Sequence, residues 1–85
     1  MVIHFHKDFI KNSMKLTLQQ KNKLTERLKL FSQNELNPVL NNHSLRGKFQ
    51  GHRSINITGD LRALYKKEGK DIMFVAIDSH SNLYG

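Results

Sequence analysis

The first residues alternate, with Val2, His4 and His6 on one side of an extended chain and Ile3 and Phe5 on the other. That period of two predicts a short strand over residues 2–6. From Lys7 the spacing changes, and Phe9, Ile10, Met14 and Leu16 make one apolar stripe on a short helix. Thr17-Leu18-Gln19-Gln20 then has the form of a capping box, in which the Thr17 hydroxyl and the Gln20 amide satisfy free backbone donors where a second helix starts. Leu24, Leu28 and Phe31 follow at i, i+4 and i+7, so this helix also has a single apolar face. The pair predicts a helical hairpin with its seam toward a sheet.

Asn34, Asn37, Asn41, Asn42 and the only proline, Pro38, end the helical half. Period two then returns: Arg53, Ile55 and Ile57 alternate with Ser54, Asn56 and Thr58, and Thr58-Gly59-Asp60 turns the chain into a strand from Leu61 to Lys67. Residues 67–70 form a hairpin turn, and 72–77 are apolar on both sides, as in a central strand. Strand, two helices, then about three antiparallel strands predict one α+β domain over residues 1–85. Its N-terminal strand and helical hairpin pack on one face of a small, mainly antiparallel sheet, leaving the other face as a working surface.

A chain of 85 residues supports one small core. It has no cysteine, so neither a disulfide nor a thiolate metal site can staple it, and stability rests on packing and on any partner. No stretch approaches the roughly 18 apolar residues of a membrane span, and MVIHFHKDF lacks the apolar region of a secretory signal. A soluble cytoplasmic protein is expected. Fourteen Lys and Arg against seven Asp and Glu give a net charge of +7, which points to a polyanionic partner. A membrane surface fits less well, because the cations do not line one face of an amphipathic helix.

The charge is concentrated. Residues His43 to Lys66 hold three arginines, two lysines and two histidines around one acid, Asp60. Arg46, Lys48, Arg53, Arg62 and Lys66 are candidates for phosphate contacts. His43, His52 and His80 fall in loops or at strand ends, where catalytic groups concentrate, and an imidazole can exchange a proton near neutral pH. His4 and His6 share one side of a strand, but few acids and no cysteine stand near to complete a metal site, so no metal or other cofactor is expected. No Ser-His-Asp order, phosphate-cradling glycine loop or carboxylate pair is present. Cations, imidazoles and one carboxylate suit cleavage of RNA by its own 2′-hydroxyl, with a base, an acid and cations around the phosphate. DNA would meet the same charges without supplying the nucleophile.

The segments NHSLRGKFQGHRSINITGDLRALYK and FVAIDSHSNLYG resemble the RelE/ParE toxin superfamily, and within it the YafQ-like branch of ribosome-dependent mRNA interferases. The first follows that branch's order of His, Leu, Gly, then Gly-aromatic-Arg, then Asp before a strand ending in Tyr-Lys; the second follows its terminal His-x-x-Leu-aromatic. The resemblance implies a toxin, held inactive by a cognate antitoxin, that enters the ribosomal A site and cuts mRNA. By position it implies catalytic roles for His43, Asp60 and His80, a nucleotide-holding role for Tyr84, and a phosphate contact for Arg62. His80 is assigned as general acid, with His43 and Asp60 sharing the base and nucleophile-orienting roles. Arg62, with Arg46, Lys48 or Arg53, would stabilise the phosphate charge.

Three positions depart from the branch: Asn56 replaces a frequent catalytic histidine, Leu61 a common tryptophan and Ala76 an arginine. A hairpin loop of residues 68–70 would place Lys67 opposite Asp71 and Arg62 opposite Ala76, letting Arg62 supply the missing charge. A two-residue loop at Glu68-Gly69 would instead oppose Lys67 and Lys70. His52, commonly a tyrosine in relatives, is either a base-stacking or proton-transfer residue or a tolerated aromatic replacement. Two other functions share this fold: a ParE-like gyrase-binding toxin, and an inactive relative that keeps its antitoxin. The +7 surface suits an acidic, partly disordered antitoxin, through which any operator DNA would be bound.

Overall fold

The computed structural model describes residues 1–84. Its strands are β1 (Ile3–Phe5), β2 (His43–Ser44), β3 (Arg53–Asn56), β4 (Leu61–Glu68) and β5 (Asp71–Ser79). Its helices are α1 (Lys7–Ser13), α2 (Leu18–Gln33) and α3 (His80–Tyr84), with 3-10 turns at Pro38–Leu40 and Gly47–Phe49. The strand order is β1-β5-β4-β3-β2; β1 runs parallel to β5 and every other pair is antiparallel. This is the expected α+β architecture. The doubly apolar segment is indeed central, because β5 lies between β1 and β4.

Local chemistry sets the helix starts. His6 caps α1, its Nδ1 accepting from the Asp8 N–H at 3.1 Å. Both halves of the Thr17–Gln20 box form, at 3.1 and 2.9 Å, and fix the start of α2. Along α2, Leu24 and Phe31 are buried while Leu28 packs against the core. The stripe expected on α1 turns inward only in part: Phe9 is 2% exposed, but Ile10 and Met14 are 45% and 68% exposed. A helix of seven residues has under two turns, so one side chain reaches the sheet before the chain turns away.

Ile55, Ile57, Leu61, Ala63, Tyr65, Ile72, Phe74 and Ile77 line the helix side of the sheet, meeting Phe9, Leu24, Phe31 and Leu40. Phe74 is the hub, with ring centroids 5.8 Å from Phe5, 5.6 Å from Phe9 and 5.3 Å from both Phe31 and Tyr65.

The β4–β5 register corrects the sequence-based one. Glu68 pairs with Asp71 across a Gly69-Lys70 loop, with Gly69 at φ 62°, a two-residue turn that only glycine enters easily. Lys67 therefore faces Ile72, and its ammonium reaches Glu35 at 3.2 Å. A bulge at Leu64/Tyr65 then shifts the pairing again, so that Leu64 faces Ala76 and Arg62 faces Asp78. Arg62 thus does not oppose Ala76. The two shifts add to an even number, so both residues stay on one face, one pair apart.

Candidate active site

The face away from the core is built in rows. His43 of β2 pairs with Ser54 of β3, Ser54 with Leu64 of β4, and Leu64 with Ala76 of β5. Beside that row runs another, in which Asn56 pairs with Arg62 and Arg62 with Asp78. On one face such neighbours lie about 5 Å apart per strand, which spreads His43, Asn56 and Arg62 over roughly 10 Å. This face is not wholly open, since Ser54 and Leu64 are both fully buried on it.

His43 is held on a strand of two residues, beyond Asn41 in the left-handed region at φ 45°. Its Nδ1 lies 2.8 Å from the Asn41 carbonyl oxygen. A carbonyl only accepts, so Nδ1 carries the proton and, in the neutral ring, Nε2 holds a lone pair on an exposed side chain.

A chain of rings closes one side. His52 and Phe49 stand edge to face at 6.4 Å, Phe49 and Tyr84 at 6.1 Å, and Tyr84 and His80 at 4.8 Å. Lys48 Nζ lies 5.2 Å from the Phe49 ring centre. The rings tie the loop before β3 to α3, and Tyr84 remains 37% exposed. Phe49 was missed in the sequence. Its only signal was an aromatic beside Lys48 and between two glycines.

Asp60 and His80 meet through their backbones, with the His80 N–H donating to the Asp60 carbonyl at 2.8 Å. Both side chains are exposed, and a cleft of about 340 Å³ lined by Asn12, Lys15, Thr58, Asp60, Asp78 and Asn82, among others, opens beside Asp60. Ser79 caps α3 by accepting from the Asn82 N–H at 3.2 Å, and Asp78 Oδ1 accepts from Asn82 Nδ2 at 3.0 Å.

The cations separate. Arg46 and Lys48 are exposed in the loop between β2 and β3. Lys66 shares the site face but pairs with Glu68 at 3.2 Å. Arg53 leaves the set: it pairs with Tyr65 on the helix side, and its Nε donates to Asn42 Oδ1 at 2.8 Å. Asn42 Nδ2 in turn donates to the buried Tyr65 hydroxyl at 2.7 Å and to the Glu35 carbonyl at 2.9 Å. Alternation decided this, because residues 53 and 54 point to opposite faces. Asn42→Ala should cost about 1–3 kcal/mol in urea unfolding, by stripping partners from Tyr65 and Arg53. The pair His4 and His6 also parts, His4 going to Asp71 at 3.5 Å and His6 to the α1 cap.

Along β3 and the residue before it, His52 Nδ1, Ser54 Oγ and Asn56 Oδ1 are buried without a hydrogen-bond partner among the described residues. Alternation puts all three on the face of His43.

A family model described as the bacterial toxin of type II toxin-antitoxin systems, YafQ, matches residues 1–85. No curated protein sequence matches significantly. Among solved structures, YafQ from E. coli strain BL21(DE3) superimposes with a TM-score of 0.79 at 26% identity, over 98% of this chain and 97% of that one. The E. coli DinJ–YafQ complex gives 0.76 at 27% identity over 98% and 97%. A YoeB/ParE toxin from Agrobacterium tumefaciens gives 0.76 at 14% identity over 94% and 99%, a likeness of fold. With its whole length matched by that family, the chain belongs to the YafQ toxins of type II toxin-antitoxin systems.

Proposed function

We propose that this toxin is a ribosome-dependent mRNA endonuclease that cuts A-site codons by attack of a 2′-hydroxyl on the adjacent phosphate. The observation that carries the reading is the His43 ring, anchored through Nδ1–H to Asn41 so that Nε2 is presented as an acceptor on an exposed, cation-rich face. In the proposed step Nε2 takes the 2′-hydroxyl proton as that oxygen bonds to phosphorus. The bond from phosphorus to the 5′ oxygen breaks, and protonated His80 gives its proton to the leaving oxygen. Products are a 2′,3′-cyclic phosphate and a 5′-hydroxyl. Asp60 orients the nucleophile from its place beside His80, while Arg46 and Lys48 offset the charge gathering on phosphate. Tyr84, within the ring chain, offers a base a stacking face. His52 shares that wall; Lys66 is a peripheral phosphate contact.

The unit of function is the 1–85 domain, and the compartment is the cytoplasm, where ribosomes are. No helix among the described residues is long and apolar enough to cross a membrane. A crystallised relative is a DinJ–YafQ complex. By analogy the +7 surface takes a cognate acidic antitoxin, and operator DNA is reached through that complex.

Primer extension on mRNA bound to 70S ribosomes tests the reading. Defined cuts in A-site codons are expected, lost when the nucleotide 5′ of the scissile phosphate is 2′-deoxy, and at least tenfold slower with His80→Gln. An uncut message with inhibited gyrase would overturn the reading in favour of a ParE-like toxin. An uncut message with active gyrase would mark an inactive relative.

A further inference from the structure

Residues 57–60 join β3 to β4 and carry Asp60, in a turn closed at its base by the Ile57 and Thr58 N–H groups donating to the Leu61 carbonyl at 2.9 and 3.3 Å. Arg62 adds a side-chain clamp to that turn. Its Nη1 donates to the Thr58 carbonyl at 2.9 Å and the Leu61 carbonyl at 3.3 Å, and its Nη2 to the Gly59 carbonyl at 3.1 Å. The Leu61 carbonyl also accepts backbone N–H groups, so the Thr58 and Gly59 carbonyls are the ones that rely on the guanidinium, whose planar fork reaches both at once where a point charge does not. The cross-strand neighbour Asp78 forms no ion pair with it among the described residues; Asp78 Oδ1 accepts instead from the Ser79 N–H at 2.7 Å and from Asn82.

What Arg62 holds bears directly on α3. A first-turn N–H of a helix has no intrahelical partner, and for His80 the partner is the Asp60 carbonyl. A five-residue helix has no stability of its own, so such contacts determine where it stands. We infer that Arg62 is a positioning residue, which locks the Thr58–Leu61 backbone and thereby fixes Asp60 and His80 in register. The inference rests on the roles given above to Asp60 and His80. It differs from the phosphate contact that the wider RelE resemblance implies, since three of the five guanidinium donors are committed to the turn.

Thr58 supports the same turn independently, its hydroxyl accepting from the Asp60 N–H at 3.3 Å and the Leu61 N–H at 3.0 Å. Arg62→Ala, Arg62→Lys and Thr58→Val therefore form one test, read by single-turnover cleavage, by salt dependence of binding to a short single-stranded RNA, and by exchange of the His80 amide. Displacements near 1 Å can cost about 10²-fold in rate, so Arg62→Ala and Thr58→Val are expected to slow cleavage about tenfold to a hundredfold. Both should speed His80 amide exchange at least tenfold while the salt slope stays at its wild-type value, and Arg62→Lys should restore neither rate nor protection. If Arg62→Ala lowers the slope by about 0.7 with His80 protection intact, Arg62 is a phosphate ligand and the inference fails. Recovery of rate by Arg62→Lys overturns it too. Should the wild type cut no mRNA, the functional reading falls, and amide exchange still decides: unchanged protection in Arg62→Ala and Thr58→Val defeats the clamp.

Discussion

Replacing His43 by glutamine is expected to slow single-turnover cleavage of ribosome-bound mRNA by about 10²- to 10⁴-fold, the range contributed by a positioned general base. Glutamine keeps the polarity and nearly the reach of the imidazole but cannot take a proton. The change is confined to one exposed side chain on β2, so the fold and its charge are otherwise preserved. Sedimentation with ribosomes should therefore match the wild type while the rate falls. In free energy the loss is about 3–5 kcal/mol of barrier. A rate within threefold of wild type would move the base elsewhere, and His52 would be next to test, since its buried Nδ1 has no partner among the described residues.

The largest loss of stability is expected from Phe74→Ala. This side chain is fully buried on the central strand, with four other rings around it. Phe-to-Ala changes in cores cost about 3–5 kcal/mol through lost transfer energy and the cavity left behind. A domain of this size holds only about 5–15 kcal/mol in total, so the variant should melt at least ~10 °C lower and be partly unfolded at 37 °C. Met14→Ala is the contrast: at 68% exposed it should stay within about 0.5 kcal/mol of wild type. Equal melting points for the two variants would mean that the ring cluster does not hold the core.

The features legible in the sequence are those fixed by contacts close along the chain. The Thr17–Gln20 box spans three residues and formed as written. The doubly apolar run became a strand flanked on both edges, with Ile72, Phe74 and Ile77 buried toward the helices and Met73, Val75 and Ala76 half-buried on the other face. What escaped depended on distant partners. The parallel pairing of β1 with β5 leaves no mark in β1, and the two-residue β2 exists through its hydrogen bonds to β3 alone. The register failed on two single-residue details, a shorter loop and a bulge, neither visible in the apolar pattern. In the site, motif order singled out His43, Asp60, His80 and Tyr84. It did not show that Arg53 faces the helices, that Phe49 links His52 to Tyr84, or that Arg62 spends its donors on a turn.

The pairing of β1 with β5 also sets a clock on synthesis. Val2 and Asp71, joined at that pairing, are 69 residues apart, and β1, α1 and α2 all leave the ribosome before the strand that buries them exists. Until β5 emerges, Phe9, Leu24 and Phe31 have no sheet to cover. Long-range pairing of this kind also folds slowly. In the interval before the sheet closes, the apolar faces of the first two helices therefore stay uncovered.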